Sequence, residues 1–192
     1  WDFPVQKPEN VIAAERDSIL KNFSPYFKLD TEVEKNKIGE LDKYLNDLLQ
    51  KYESETRPLD PMGFISVKRE LNNIISGIYQ KGVLETNELM PFEKLPDEIT
   101  VISGRVGEQK QVSSLFVQKS AYQYAEEKKA ELERHHAAVS GKSLSDFLSK
   151  VALYDFIQPN LFYDAATSTA VKNKMIGEIS INRGLVKEGE LI

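Results

Sequence analysis

The 192 residues are enough for one domain with a sizeable core, and the hydrophobic and charged fractions, 41% and 29%, are ordinary for a globular chain. A net charge of −5 disfavours a nucleic-acid surface, which usually needs a basic stripe. The lack of cysteine excludes disulfides, thiolate metal sites and a cysteine nucleophile. No apolar run approaches the roughly 18 residues that span a bilayer. We predict one domain over residues 1–192, with a possible subdivision near 85–98.

Amphipathic helices dominate the first half of the chain, because apolar residues recur there at spacings of three and four. They are predicted over residues 8–23, 31–55 and 62–80. Ser24-Pro25 ends the first helix, since the residue before a proline disfavours the helical region. Asp30 or Thr31 caps the second helix. Gly82 supplies the left-handed cap that ends the third.

The middle of the chain is predicted to form a β-hairpin followed by two helices. Residues 87–98 hold two prolines and little periodicity, which favours a loop. The strands and helices after this loop are predicted over residues 99–102, 111–117, 120–139 and 143–156. The hairpin turn falls within 104–108. Gly141 separates the two helices, and Ser143 is expected to cap the second.

A capped helix and a pair of short strands are predicted at the C-terminal end. Asp164 is a good N-cap, because its carboxylate can accept from the free N–H groups of the first turn and suits the positive end of the helix dipole. The helix runs to about Gly177 and is expected to bury Val171, Met175 and Ile176. The strands are predicted over residues 179–181 and 190–192, with turns marked by Gly184 and Gly189.

These elements predict an α+β fold that is mostly helical, with a central β-hairpin and a terminal short strand pair. Strands do not alternate regularly with helices, which disfavours a doubly wound parallel sheet. The chain opens without methionine and ends within a predicted strand, so we interpret it as a segment of a longer protein.

Catalytic and metal-binding motifs are not evident in the sequence. His135 and His136 are the only histidines, and neighbours on a helix point about 100° apart, which makes them a poor chelating pair. We interpret both as solvated helix residues. Glu126 and Lys129 are spaced to form an ion pair on an exposed helix. The glycine-rich stretch 103–107 lacks the Gly-Lys-Ser/Thr ending of a phosphate loop and fits a hairpin turn better. We predict no catalytic residue, metal or cofactor in this segment.

Two groups of polar residues are candidate ligand-binding sites. The first lies at the start of the last helix, where N–H groups and polar side chains can converge: Asn160, Tyr163, Asp164 and Thr167. Capping and a buried loop explain the same residues, and we favour that alternative because capping alone accounts for Asp164. The second group flanks a proline-rich loop, with Arg57 and Arg69 as ligand candidates. These two arginines and Asp60 could instead pair with each other.

Three stretches together resemble the extracytoplasmic domain of the seven-transmembrane HD-hydrolase family, the membrane-associated HD-superfamily phosphohydrolases. The first joins Ala14-Glu-Arg-Asp17, Asn22-Phe-Ser-Pro-Tyr-Phe27 and Asp30, and the second is Ile78-Tyr-Gln-Lys-Gly-Val83. The third and most specific joins Pro159-Asn-Leu-Phe-Tyr-Asp164, Thr167 and Val186-Lys-Glu-Gly-Glu-Leu-Ile192. Family members carry a similar Pro-Asn-Leu, Asp, Thr and a later Gly-Glu-x-Ile. The chain is most similar in character to members from Bacteroides-like bacteria.

The resemblance implies a parent protein with one N-terminal membrane helix, this domain outside the membrane, a bundle of membrane helices and a cytoplasmic HD domain. Characterised relatives hydrolyse cyclic di-AMP, and their divalent metal and catalytic residues belong to the HD domain. No catalytic role therefore passes to this segment. The implied location is the extracytoplasmic, periplasmic face of the bacterial inner membrane. Both ends of the segment would enter that membrane, which requires them to lie near each other.

Two functions compete for such a segment. A sensor would bind an unknown small ligand and pass the signal to the HD domain, which needs a concave pocket with a few convergent polar groups. An interaction module would dock a protein partner, or a second copy of itself as a homodimer, through an exposed apolar patch. We favour the sensor, because an enzyme with an outer and an inner domain has a use for coupling them, which is an argument from analogy.

Overall fold

The computed structural model describes residues 3–86, 96–139 and 142–186, with residues 3, 4 and 182–186 described by their backbone. The helices of these residues are α1 (Glu9–Asn22), α2 (Thr31–Glu55), α3 (Pro61–Lys81), α4 (Gln118–Val139), α5 (Lys142–Ser149) and α6 (Ala165–Gly177). The strands are β1 (Phe3–Gln6), β2 (Tyr26–Leu29), β3 (Val83–Leu84), β4 (Glu98–Ser103), β5 (Val106–Gln111), β6 (Phe116–Val117), β7 (Leu161–Tyr163) and β8 (Asn182–Val186). Residues 87–95 of the loop predicted over 87–98, the break at Gly141, the turn at Gly189 and the strand over 190–192 lie outside the described residues, and the last residue of that loop, Glu98, begins β4.

The chain divides into two compact units. The terminal unit contains Trp1–Tyr26 and Asp164–Ile192, and the central unit contains Phe27–Tyr163. The interpretation of residues 1–192 as a single domain, with a possible subdivision near 85–98, stays a prediction.

Four helices of the central unit share a hydrophobic core. The inward face of α3 follows the predicted spacing of three and four, with side chains that are 0% exposed at Val67, Leu71, Ile75 and Ile78. Phe147 of α5 makes T-shaped ring contacts with Tyr52 of α2 and Phe64 of α3, each with centroids 5.7 Å apart. Edge-to-face pairs of this kind stabilise a core by about 0.5–1.5 kcal/mol beyond the burial of area. The aromatic cluster therefore fixes α5 against both long helices.

A mixed six-stranded sheet completes the central unit, in the order β5-β4-β2-β7-β3-β6, with β2 contributing from Phe27 onward. β2 and β7 are antiparallel, and Phe27 lies opposite Tyr163. β3 runs parallel to both β7 and β6. The sheet packs a second hydrophobic cluster, made of Phe27, Leu84, Ile99, Val101 and Leu161. The mostly helical α+β fold that the sequence predicts is confirmed.

The central hairpin is present, but its second strand lies earlier in the chain than the predicted 111–117. β4 and β5 pair without interruption from Glu98 opposite Gln111 to Ser103 opposite Val106. Gly104 has a φ of 61° while Arg105 keeps a negative φ, which is the pattern of a two-residue type II′ turn. β5 cannot be recognised from the sequence, because this strand is almost entirely exposed and has no alternation of apolar residues.

The helix predicted over residues 143–156 is shorter in the structure. It forms α5 over Lys142–Ser149, and a separate 3₁₀ turn covers Tyr154–Phe156. The N–H groups of Lys150 and Val151 donate to carbonyls only three residues back, at 3.0 Å each, which tightens and ends the helix. Ser143 lies inside α5, so the prediction that it caps this helix is wrong.

Strands β1 and β8 form an antiparallel pair in the terminal unit, with Phe3 opposite Val186. The strand predicted over residues 179–181 and the turn predicted at Gly184 are both misplaced, because β8 covers Asn182–Val186 and pairs with β1. α6 begins and ends as predicted, but its burial differs. Met175 is 40% exposed, whereas Val171 and Ile176 are half-buried.

Candidate functional site

Both polar atoms of the Asn160 side chain form hydrogen bonds inside the central unit. Its Oδ1 accepts from the backbone N–H of Val83 at 2.7 Å, and its Nδ2 donates to the carbonyl of Tyr79 at 3.2 Å. Its backbone carbonyl accepts from the N–H of Asp30 at 2.9 Å. The residue is 2% exposed. The amide supplies hydrogen-bond partners to backbone groups where α3 ends and β3 begins. Its geometry therefore fits a role in a buried loop better than a role in ligand binding.

Tyr163 lies at the end of β7 and is half-buried. Its ring lies against the ring of Phe27 across the β2–β7 pair, with centroids 5.6 Å apart. Cross-strand aromatic pairs of this kind stabilise a sheet by about 0.2–1 kcal/mol.

Asp164 and Thr167 form the predicted cap of α6 in the terminal unit. The Asp164 Oδ1 accepts from the N–H of Thr167 at 2.9 Å, and its Oδ2 accepts from the Thr167 hydroxyl at 2.8 Å. Both carboxylate oxygens thus bind within the first turn, and the N-cap prediction is confirmed. Since Asn160 and Tyr163 belong to the central unit, the four residues of this candidate site are divided between the two units.

Arg57 lines a cleft of about 540 Å³ in the central unit. The other lining residues are Pro58, Leu59, Asp60, Gly63, Ser143 and Leu144. The Arg57 guanidinium donates to the Ser143 hydroxyl through both Nε, at 2.9 Å, and Nη2. One guanidinium therefore joins the α2–α3 loop to α5, and it is exposed at the surface of the cleft.

Asp60 and Gly63 line this cleft at the start of α3. The Asp60 Oδ2 accepts from the N–H of Gly63 at 2.7 Å, so Asp60 is an N-cap rather than the partner of Arg57. Leu144 of α5 approaches so closely that a Cβ on Gly63 would lie 2.6 Å from its Cδ1. The small residue at position 63 therefore lets α5 seat directly against α3.

Arg69 is exposed on the outer face of α3 and does not line the cleft. Met62 and Ile65 precede it at spacings of seven and four on the same face, and they are 72% and 55% exposed. The two arginines proposed from the sequence are thus in different surroundings: Arg57 in a cleft, and Arg69 beside exposed apolar side chains.

Two polar residues of α4 have roles that the sequence analysis missed. His136 is 5% exposed, and its Nε2 lies 2.8 Å from Oε2 of Glu70 on α3, so the interpretation of this histidine as solvated is wrong. Lys129 forms the predicted pair with Glu126 at 3.0 Å, but its Nζ is buried and also donates to the Val151 carbonyl at 2.8 Å.

The signal for this inward stripe is present in the sequence at helical spacing, namely Ala121, Ala125, Lys129 and His136. This stripe does not stand out as an apolar helix face, because two of its members are small and two are polar.

No group of three or more His, Asp or Glu side chains that could hold a metal ion occurs within residues 3–86, 96–139 and 142–186. In the same ranges, no helix is both long and apolar enough to cross a bilayer. Comparison with family models, with curated proteins and with solved structures gives no match for the chain.

Proposed function

We propose that the chain is a non-catalytic regulatory domain that binds a small ligand outside the bacterial inner membrane and controls a cytoplasmic HD-type phosphodiesterase. The family assignment, the cyclic di-AMP substrate and the periplasmic location come from the sequence resemblance. The pairing of Phe3 with Val186 supports this placement, since a domain between two membrane segments needs its entry and exit side by side.

The cleft around Arg57 is the single observation that carries ligand binding. Its volume, about 540 Å³, falls within the range of small-molecule sites, roughly 300–1,000 Å³. Arg57 offers further N–H donors beyond those on Ser143, and a guanidinium suits the fork geometry of a carboxylate or phosphate. The expected ligand therefore carries at least one anionic group.

Signalling from this cleft would act through the contact between the α2–α3 loop and α5. The Arg57–Ser143 bonds join these elements, and a ligand that draws the guanidinium away would weaken that join. A ligand shifts such an equilibrium only by the difference between its affinities for the two arrangements. The proposal therefore requires that the ligand binds the arrangement without the Arg57–Ser143 bonds more tightly than the arrangement with them.

Thermal unfolding of the domain with cell-wall fragments, nucleotides, sugars and peptides tests ligand binding. A compound that binds the folded state should stabilise it by about 2.7 kcal/mol at a hundredfold excess over its dissociation constant. Arg57→Ala should abolish this shift, whereas Arg69→Ala is the matched control and should leave it unchanged. A shift that survives Arg57→Ala and disappears with Arg69→Ala would place the ligand elsewhere.

A protein-docking module is the second candidate, because Met62 and Ile65 expose large apolar side chains beside Arg69. Exposed apolar side chains grouped on one helix face are typical of interaction surfaces. Replacing Met62 and Ile65 together by Ser should then reduce cross-linking to a membrane-associated partner without changing any ligand response. If this variant keeps both its cross-linking and its ligand response, this face is not the docking surface and the sensor is favoured.

The proposal also expects no turnover of cyclic di-AMP by this domain with manganese present. Release of hydrolysis product at a rate above that of the buffer blank would overturn the regulatory assignment.

A further inference from the structure

β5 is the outermost strand of the six-stranded sheet and has β4 on one side. On its other side no strand is present among the residues that the structure describes. An outer strand offers a row of backbone N–H and C=O groups to which another strand can add. Five of the six residues of β5 are exposed, and a cleft of about 440 Å³ lies between Glu108–Gln111 and the side chains of Gln80, Lys81 and Ser114.

The hydrogen-bond pattern identifies which backbone groups of β5 face outward. In an antiparallel pair, residues alternate between bonding their partner strand and facing away from it. Ser103 and Val106 flank the type II′ turn and form a hydrogen-bonded pair. The N–H of Val112 donates to the carbonyl of Asp97 at 2.8 Å, so every second pair between these two ends is hydrogen-bonded. Positions 106, 108 and 110 therefore bond β4, while Gly107, Gln109 and Gln111 direct their backbone groups outward.

The charges of β5 are self-complementary about Gln109. Glu108 and Lys110 are its immediate neighbours, and their side chains lie 3.6 Å apart within one chain. If a second β5 runs antiparallel with Gln109 opposite Gln109, each Glu108 faces a Lys110 of the other copy. Two neighbouring registers also let the outward backbone groups of the two copies bond each other. The register with Gly107 opposite Gln109 places Glu108 opposite Glu108, and the register with Gln109 opposite Gln111 places Lys110 opposite Lys110. Like charges directly opposite each other destabilise a pair of strands, so one register is selected.

The strand also lacks the usual obstacles to such pairing. Proline and a β-bulge are the common devices that protect an outer strand, and β5 contains neither across its uninterrupted register with β4. Lys110 is a charge that could protect the edge, but Glu108 balances it.

From these observations we infer that the domain forms a two-fold symmetric dimer by antiparallel pairing of β5 with β5 of a second copy, in the register that places Gln109 opposite Gln109. This inference is independent of the ligand proposal. A single pair of six-residue strands buries less area than stable dimers do, so association should depend on protein concentration.

Sedimentation equilibrium of the purified domain measures this association. Glu108→Lys and Lys110→Glu each create two like-charge contacts and should weaken the dimer by about tenfold or more. The double variant Glu108→Lys with Lys110→Glu exchanges the charges, restores both opposite-charge contacts and should recover the wild-type association. Lys43→Glu, an exposed lysine on α2, controls for the change in net charge and should have no effect.

Gln109→Pro removes the central outward N–H without removing a bond to β4, and it should abolish the dimer while leaving the circular dichroism spectrum unchanged. Hydrogen exchange gives a second readout that does not depend on variants. Protection at Gly107, Gln109 and Gln111 should rise with protein concentration, while Glu108 and Lys110 stay protected at all concentrations. A wild-type domain that is monomeric throughout, or a dimer that the single charge reversals do not weaken, would overturn the inference. Neither outcome bears on ligand binding, which is tested separately by thermal unfolding with candidate ligands.

Discussion

The two units of the chain are stabilised in different ways. In the central unit, large side chains such as Phe147 and Ile75 are completely buried, and two hydrophobic clusters connect its helices and its sheet. Among the described side chains of the terminal unit, the buried ones are Pro25 and Ser168. Ile12, Ile19 and Phe23 of α1 follow the predicted apolar stripe but are half-buried. An amphipathic pattern thus predicts which side of a helix packs, but not how completely it is covered.

In the terminal unit, the contacts between its described elements are largely hydrogen bonds and an ion pair. Lys7 pairs with Glu15 at 2.8 Å, the backbone N–H of Tyr26 donates to the Ser168 hydroxyl at 2.9 Å, and Asp164 caps α6. Such contacts contribute about 1 kcal/mol each, whereas a fully buried aliphatic side chain contributes about 1.5–3 kcal/mol. The difference should therefore appear in the cost of equivalent substitutions in the two units.

The largest effect is expected from truncation of isoleucine in the central core. Ile75→Ala should lower the free energy of unfolding by about 3–4 kcal/mol, because Ile75 is 0% exposed and its loss leaves a cavity. Ile19→Ala makes the same chemical change in the terminal unit and should cost less than about 1.5 kcal/mol, since Ile19 is half-buried. Urea denaturation followed by circular dichroism measures both. Equal costs would mean that the two units do not differ in packing.

Asn160→Ala should cost about 2–3 kcal/mol, because it leaves the buried N–H of Val83 and the carbonyl of Tyr79 without their partner. Asn73→Ala, an exposed position on α3, is the control and should change stability by less than about 0.5 kcal/mol. If Asn160→Ala lowers the free energy of unfolding only slightly and also abolishes a ligand response, Asn160 belongs to a binding site.

Alkaline pH should weaken the central unit through Tyr79. Burial raises the pKa of Tyr79 to about 12 from its ordinary value of 10.0, while its hydroxyl donates to the Phe156 carbonyl and accepts from the N–H of Gln158. The neutral phenol is favoured by folding, so this contribution is complete below pH 10 and is lost as the pH rises toward 12, by about 2 kcal/mol in all.

Tyr79→Phe should lower stability at neutral pH and remove this alkaline loss, as measured by urea denaturation between pH 8 and about 11.5. Tyr154→Phe, at a 54% exposed position, should retain the wild-type profile. An unchanged alkaline profile in Tyr79→Phe would exclude Tyr79 as the source.

The smallest effect is expected at the cap of α6. Asp164→Ala should cost about 1 kcal/mol and speed hydrogen exchange of the α6 amides by about fivefold, because it removes both bonds to Thr167. Asp164→Asn keeps a good capping side chain and should be nearly neutral. If the two variants behave alike, charge rather than capping geometry is what Asp164 supplies to the helix.

Local chemistry accounts for the parts of the fold that the sequence predicts well. Asp164 at the start of α6 accepts from a first-turn N–H group as predicted, and of the two residues predicted to cap α2, Asp30 or Thr31, the cap is Asp30. Gly82 ends α3 with a φ of 104°. A cap needs only residues within one helical turn, so its signal survives in a short stretch of sequence. The apolar stripes of α2 and α3 are equally local, because helical spacing alone places their members on one face.

The candidate site was predictable only in part. Arg57 was identified beside the proline-rich loop, but its partner Ser143 lies far away in sequence, and so the cleft could not be foreseen. The spacing of Asn160, Tyr163, Asp164 and Thr167 suggested one group of residues. It could not reveal that the Asn160 amide reaches back to the end of α3.

The sequence by itself therefore determined most of the helices, the cap of α6 and the mostly helical α+β class, since these depend on neighbours a few residues apart. The tertiary structure decided the strand partners. β8 pairs with β1, and β7 lies between β2 and β3, although these strands are distant in the chain. It also decided the burial of His136 against Glu70 and the outer position of β5. Strand pairing and packing partners depend on which surfaces meet after the chain folds, and a local pattern of residue types does not identify those partners.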